Sequence, residues 1–123
     1  MKILIAATIV LFSSCINPQE AKNKEAVVKA MADAISKKYS QAPQLSIEEF
    51  RQNQGRTVLI DVRSEEEIKV SKIRGAVTRE YFENKINSEP DFYKNYKVVA
   101  YCTIGERSSQ YAIELKKKGF NAF

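Results

Sequence analysis

Apolar positions along the chain follow two spacings, one typical of buried strands and one typical of helices. Residues 57–62 (TVLIDV) and 97–102 (KVVAYC) are mostly apolar and β-branched, as in strands that are covered on both faces. Residues 107–118 (RSSQYAIELKKK) carry apolar side chains at helical spacing. Strands that alternate with helices predict an α/β domain with a mostly parallel central sheet flanked by helices.

Capping signals predict where further helices begin. Ser46 with Glu49, and Ser64 with Glu67, match the capping box, in which two side chains satisfy each other's free backbone amides. The glutamates at 65–67 occupy a first turn, where the helix dipole favours negative charge, so we interpret them as structural. The remaining expected elements are a short strand at 75–77 and a helix that Thr78 caps and that ends near Ile86.

The N-terminal part of the chain divides into segments of different polarity. Residues 26–42 carry apolar side chains at helical spacing and predict an amphipathic helix that packs against the domain. Residues 15–25 are polar and predict a flexible tether. Residues 1–14 combine an early lysine with an apolar run too short to span a bilayer comfortably, which predicts a secretory signal peptide. An uncleaved membrane anchor is the alternative.

The residues around Cys15 add a second targeting feature. Ser13 and Ser14 lead directly into Cys15, and Phe12 stands where leucine is usual. This arrangement resembles the lipobox of bacterial lipoproteins, in which the cysteine is lipidated and becomes the new N-terminus. The resemblance implies a lipid anchor on Cys15 and a location on the periplasmic side of the cell envelope.

Composition and charge narrow the classes of function. The 123 residues, 44% of them apolar, give room for one ordinary globular domain. The net charge of +5 comes from lysines and glutamates that are interspersed, which favours a solvated surface over nucleic-acid binding. The chain has no histidine, so a Cys-His hydrolase and a typical zinc site are disfavoured. We expect neither a metal nor a cofactor.

Cys102 has the surroundings of a reactive thiol. It ends a predicted strand, and parallel sheets bind ligands outside the carboxyl ends of their strands. Gly105 allows the backbone amides to turn inward, and a helix that starts near Arg107, capped by Ser108 and Ser109, adds a dipole and a cation. All three features lower the pKa of a thiol. The alternative is a buried cysteine that packs as a small apolar side chain.

The length of the loop after Cys102 distinguishes two chemistries. Four residues separate Cys102 from Arg107. Tyrosine-phosphatase loops are one residue longer and enclose a phosphate, so the shorter loop favours a single bound sulfur atom.

Three segments together resemble the rhodanese family: 60-IDVR-63 before an acidic helix, 73-IRGAV-77, and 102-CTIGERS-108. They occur in the order and approximate spacing of that family, so residues 45–123 resemble a single rhodanese-like domain. The resemblance implies a sulfurtransferase whose Cys102 takes sulfur from a donor such as thiosulfate, carries it as a persulfide and passes it to a thiol or cyanide.

The resemblance also implies roles for individual residues. Arg107 would orient the loop or the donor anion, and Asp61 and Arg63 would support the loop from the neighbouring strand end. A surface salt bridge is the alternative for that pair. The implied sulfur-binding loop consists of Thr103, Ile104, Gly105, Glu106, Arg107 and Ser108.

Three departures from the family pattern lead to further expectations. Lys72 replaces the usual histidine, which puts the following turn in question. Glu106 places a negative charge in the loop, which should oppose a dianionic donor and raise the pKa of the thiol, so persulfides and polysulfides stay open as donors. Residues 119–123 (GFNAF) cover only the start of the family's next strand, so we expect a truncated final strand. A non-catalytic redox-sensing or protein-binding module is the second functional hypothesis.

Overall fold

The computed structural model describes residues 17–123, so the predicted signal peptide and Cys15 lie outside the described residues. Its strands are β1 (Thr57–Asp61), β2 (Val77–Thr78), β3 (Lys97–Tyr101) and β4 (Asn121–Ala122). They form one four-stranded sheet in the order β2-β1-β3-β4, and every neighbouring pair is parallel. The expected α/β fold with a parallel central sheet is confirmed.

Helices connect the strands and cover the sheet. Both predicted capping boxes form: the Ser46 hydroxyl accepts from the Glu49 amide at 3.1 Å, and the Ser64 hydroxyl accepts from the Glu67 amide at 3.4 Å. These caps satisfy backbone amides that no helical carbonyl can reach. The helices are α1 (Pro18–Lys38), α2 (Ile47–Gln52), α3 (Glu65–Val70), α4 (Arg79–Ser88) and α5 (Glu106–Lys117), with a 3-10 turn at Gln54–Arg56.

The first helix begins earlier than its hydrophobic pattern indicates. The Asn17 side chain accepts from the Gln19 amide at 3.0 Å, and Pro18 occupies a first-turn position that needs no N–H donor. Residues 18–25 are therefore helical, in contrast to the flexible tether that their polarity predicts. The helix ends at Lys38, where the Tyr39 amide donates to the carbonyl of Ile35.

Only the C-terminal half of α1 packs against the domain. Val27 and Val28 are more than half exposed, whereas Ala32, Ile35 and Tyr39 are partly buried. Of the apolar side chains that were predicted to pack, only those near the C-terminal end of α1 contact the domain. Within residues 17–123, no helix is both long and apolar enough to cross a membrane.

The core lies between the sheet and helices α4 and α5. Ile60 and Val98 from the central strands are fully buried, as are Phe82 of α4 and Leu115 of α5. The last strand has two residues, and the chain continues to pair with β3 beyond it. The Phe123 amide donates to the Val98 carbonyl at 2.8 Å.

The pairing of β1 with β3 positions the candidate site. Thr57 lies opposite Lys97 and the register continues without a break to Asp61 opposite Tyr101. Both strands therefore end at the same edge of the sheet. Cys102 follows directly at this edge, beside the residues that connect β1 to α3.

Candidate functional site

The loop after β3 turns its backbone toward the sulfur of Cys102. The Gly105 amide donates to Sγ at 3.1 Å, and the Ser108 hydroxyl oxygen lies 3.5 Å from the same atom. Gly105 has φ 99°, a left-handed conformation that glycine adopts without strain. Cys102 is a partly buried free cysteine. The predicted cradle around the thiol is present in the geometry.

Hydrogen bonds control the protonation of this thiol. Burial alone would raise the pKa of Cys102, but hydrogen bonds from the Ser108 hydroxyl and from the amides of Ser108, Gly105 and Ile104 outweigh burial and hold the pKa below its usual value. The net direction is downward despite the negative charge of Glu106 in the same loop. The thiolate, which is the nucleophilic form, is thereby favoured.

The start of α5 differs from the sequence-based expectation. The helix begins at Glu106, its N-cap is Gly105, and neither Ser108 nor Ser109 caps it with a side chain. The Ser108 hydroxyl oxygen instead lies 3.2 Å from the Gly105 carbonyl oxygen and 3.5 Å from Sγ of Cys102. The thiol can donate to this oxygen, whereas the thiolate accepts the hydroxyl hydrogen, which otherwise goes to the Gly105 carbonyl. Ser108 is buried, so its hydroxyl serves the loop and the sulfur.

Arg107 is held by a carboxylate of α3. Its two terminal nitrogens donate to the two oxygens of Glu67, at 2.7 and 2.8 Å. The Thr103 hydroxyl donates to the same carboxylate at 3.0 Å. The Arg107 pair, with the Ser64 amide, holds the pKa of Glu67 well below its usual range, and Glu67 raises that of Arg107. Both ends of the loop are thus attached to one side chain.

Sequence reasoning missed this second role of Glu67, which it interpreted as a cap alone. The residue does cap α3, since the Ser64 amide donates to its carboxylate at 3.0 Å. The available signal was topological: α3 follows β1 directly, and β1 pairs with the strand that carries Cys102. The first turn of α3 therefore lies beside the loop.

Asp61 and Arg63 form a second support below the loop. The side chain of Asp61 is fully buried and accepts from Arg63 Nε at 2.9 Å and Nη2 at 2.7 Å, so the pair is not a surface salt bridge. Burial would raise the pKa of Asp61, but the hydrogen bonds from Arg63 and Tyr101 hold it below its usual value. The Tyr101 hydroxyl donates to Asp61, which ties β1 to the residue before Cys102.

Arg63 and Tyr101 hold the turn in which Lys72 replaces histidine. The Ile73 amide donates to the Tyr101 hydroxyl at 3.2 Å, and Arg63 Nη2 donates to the Ser71 carbonyl at 2.6 Å. The turn forms with the Ala76 amide bonded to the Ile73 carbonyl at 3.1 Å. Tyr101, which the sequence did not single out, therefore links the turn to Asp61.

Glu106 is paired with residues at the end of α1. Its carboxylate accepts from Lys38 Nζ at 2.7 Å and from the Tyr39 hydroxyl at 3.1 Å. Lys38 lowers the pKa of Glu106, and Glu106 raises that of Lys38. The negative charge that was expected to act inside the loop is therefore compensated by a cation from another element.

Two depressions of about 280 Å³ each reach Cys102 from different directions. One lies between α1 and the loop, and its walls include the apolar side chains of Ile35, Leu45 and Ile104. The other is lined by the cations Arg63 and Lys72. The sulfur therefore has one apolar and one basic approach. Residues 17–123 contain no group of histidine, cysteine or acidic side chains that could hold a metal ion.

Comparison with known proteins agrees with this arrangement. The rhodanese-like domain matches residues 46–123. Similar proteins include the tRNA uridine(34) hydroxylases of Staphylococcus aureus strains JH9, JH1 and Mu3, each 31% identical over 106 residues. The match covers 79% of this chain but 33% of each relative, so the chain spans about a third of their length. No solved structure gave a significant match. The chain belongs to the rhodanese-like domain family.

Proposed function

We propose that this protein is a sulfurtransferase that carries sulfane sulfur as a persulfide on Cys102. The observation that carries the proposal is the loop after β3, which directs an amide and a hydroxyl at Sγ and lowers the pKa of the thiol. The thiolate is the nucleophilic form of cysteine, and a lowered pKa increases its share.

Two steps return the enzyme to its starting state. The Cys102 thiolate attacks the outer sulfur of thiosulfate, a new S–S bond forms, and sulfite leaves with the electron pair of the broken bond. A thiolate or cyanide then attacks the terminal sulfur of the persulfide and releases the Cys102 thiolate. The amides of Ile104, Gly105 and Ser108 are suited to stabilise the terminal sulfur, because they are already oriented toward Sγ before the reaction.

The surrounding residues support both steps. Arg107 orients the loop through Glu67, which also holds Thr103. Arg63 and Lys72 line the basic approach to Cys102, so a small anionic donor fits that side. Thiosulfate, a persulfide and a polysulfide are all candidate donors.

The proposed location is the periplasmic side of the cell envelope. Residues 1–14 are the proposed signal peptide, and a lipid on Cys15 would attach the protein to a membrane. Lipidation of Cys15 would also leave Cys102 as the remaining thiol of the chain. The cleavage and the lipidation can be tested by mass analysis of the N-terminal peptide of the protein produced in bacterial cells. An unmodified peptide that begins at Met1 would contradict both.

A redox-sensing module is the second candidate function. A partly buried thiol with a lowered pKa also reacts readily with oxidants. The name of the relatives indicates tRNA hydroxylation, but the match covers only 33% of each of those proteins. We favour sulfur transfer, because the residues that support it all lie within this chain.

Intact-mass analysis separates the two candidates. The full chain is exposed to thiosulfate, to a polysulfide and to hydrogen peroxide, beside Cys102→Ser and the matched control Cys15→Ser. A gain of one sulfur atom that Cys102→Ser loses and Cys15→Ser keeps supports the carrier. A folded protein that gains oxygen at Cys102 but sulfur from neither donor would support the redox-sensing module.

A further inference from the structure

The end of α1 reaches the loop that carries Cys102. Lys38 and Tyr39 both donate to the same oxygen of Glu106, and the Tyr39 hydroxyl accepts from Gln110 Nε2 at 2.7 Å. Glu106 and Gln110 belong to the first turns of α5. These contacts join residues 67 to 71 positions apart in the sequence. The end of α1 therefore contacts the helix that follows the loop, and Ala32, Ile35 and Ser36 of α1 line the apolar depression that reaches Cys102.

Both carboxylates next to the loop are compensated by a cation. Glu67 is paired with Arg107, which comes from the loop itself. Glu106 follows Gly105, whose amide donates to Sγ, and its cation Lys38 comes from outside the family-matched residues 46–123. Without Lys38, Glu106 would carry an uncompensated negative charge one residue from the amide that donates to Sγ, and its field would oppose an anion that reaches the sulfur from either depression.

We propose that Lys38 is a specificity-determining residue, which by pairing with Glu106 permits small anionic sulfur donors to reach Cys102. This inference rests on the proposed sulfur transfer. Lys38 acts through Glu106 and is therefore a positioning residue. Its pair is exposed, with 62% of the Lys38 side chain accessible, so it contributes little to stability and its replacement leaves the fold intact.

Two donors of different charge test this role. Thiosulfate carries two negative charges, whereas methanethiosulfonate carries one and has a methyl group in place of one oxygen. In both, the Cys102 thiolate attacks the outer sulfur, and sulfite or methanesulfinate leaves with the electron pair. At low ionic strength, Lys38→Gln should raise the KM for thiosulfate about 4-fold and that for methanethiosulfonate about 2-fold, with kcat nearly unchanged.

The chain offers a matched control for this variant. Lys37 precedes Lys38 in the last turn of α1, is exposed, and Lys37→Gln makes the same change in net charge. It should leave both KM values unchanged. Lys38→Arg should retain the wild-type KM, because it keeps the positive charge. The double variant that combines Lys38→Gln with Glu106→Gln removes both charges of the pair, so its KM for thiosulfate should return most of the way to the wild-type value.

Alkylation gives a readout that does not depend on sulfur transfer. Iodoacetate and iodoacetamide are similar in size, but only iodoacetate is charged. The mass of the Cys102 peptide gives the rate at which each reagent alkylates Cys102. The iodoacetate rate divided by the iodoacetamide rate then reports the electrostatic potential at the sulfur. Lys38→Gln should lower this ratio about 2-fold at low salt, and added salt should remove the difference.

The outcomes distinguish the two proposals. A wild-type protein that accepts sulfur from neither donor, and from no polysulfide, refutes the proposed function, and the alkylation ratio still decides whether Lys38 controls access of anions. The inference about Lys38 is overturned by an alkylation ratio equal in Lys37→Gln and Lys38→Gln. The inference is also overturned if Lys38→Gln raises the KM of both donors by the same factor, or if adding Glu106→Gln does not reverse that rise.

Discussion

Replacing Ser108 with alanine tests whether the loop stabilises a thiolate on Cys102. The Ser108 hydroxyl lies 3.5 Å from Sγ and is one of the groups that lower the pKa of the thiol. Alanine removes this hydroxyl but keeps the amides of Ser108, Gly105 and Ile104. The variant therefore removes one contribution to the cradle without removing the others.

The size of the effect follows from the value of one hydrogen bond. Such a bond contributes about 1 kcal/mol net, so its loss should reduce the thiolate fraction about fivefold at pH values below the pKa. The pKa of Cys102 should rise in Ser108→Ala, because the thiolate loses the Ser108 hydroxyl as a hydrogen-bond donor. Above the pKa, the variant should react at least as fast as the wild type, since a more basic thiolate is more nucleophilic.

The assay is the rate of Cys102 alkylation by iodoacetamide as a function of pH. Ser109→Ala is the matched control, because Ser109 lies on the same helix and does not cap it. We expect the midpoint of the Ser108→Ala profile to move to higher pH and that of Ser109→Ala to stay. An unchanged midpoint in Ser108→Ala would refute the role assigned to this hydroxyl.

Three further predictions concern the supports of the site and the core. Asp61→Asn should destabilise the fold by about 2 kcal/mol at neutral pH, because it breaks a buried, charged hydrogen-bonded pair. The pKa of Asp61 is lowered by folding, so this stabilisation is present above about pH 4 and is lost as the pH falls through the folded pKa; denaturant titrations at several pH values check it. Glu67→Gln should weaken the bidentate pair with Arg107 and accelerate amide hydrogen exchange at 103–107, measured by mass spectrometry; unchanged exchange would contradict the role of Glu67. Leu115→Ala should cost about 3 kcal/mol in denaturant unfolding, since the side chain is fully buried, and a cost below 1 kcal/mol would contradict the described core.

Local patterns in the sequence were sufficient for most elements of the fold. The capping boxes at Ser46 and Ser64 form as predicted, because they depend on residues three positions apart. The two apolar runs became the central strands β1 and β3. The family resemblance, which rests on short segments in a fixed order, is confirmed for residues 46–123.

The N-terminal helix shows where such patterns are insufficient. Polarity indicated a tether before Ala26, yet Asn17 and Pro18 start the helix far earlier. An exposed helix needs no apolar stripe over its whole length, so the hydrophobic pattern marks only the part that packs. The capping residues Asn17 and Pro18 indicate where the helix begins, whereas the hydrophobic periodicity alone does not.

The sequence by itself determined the two central strands, the capped helices and the place of Cys102 at the end of β3, because these depend on neighbouring residues. The short strand expected at 75–77 lies instead at Val77–Thr78. Only the tertiary structure decided which charges meet. Glu67 reaches Arg107 across 40 residues, and Lys38 reaches Glu106 across 68. Such pairs depend on the register of β1 with β3 and on how α1 packs. A carboxylate that looks like a cap or a hindrance in the sequence therefore becomes a support of the loop once the sheet is assembled.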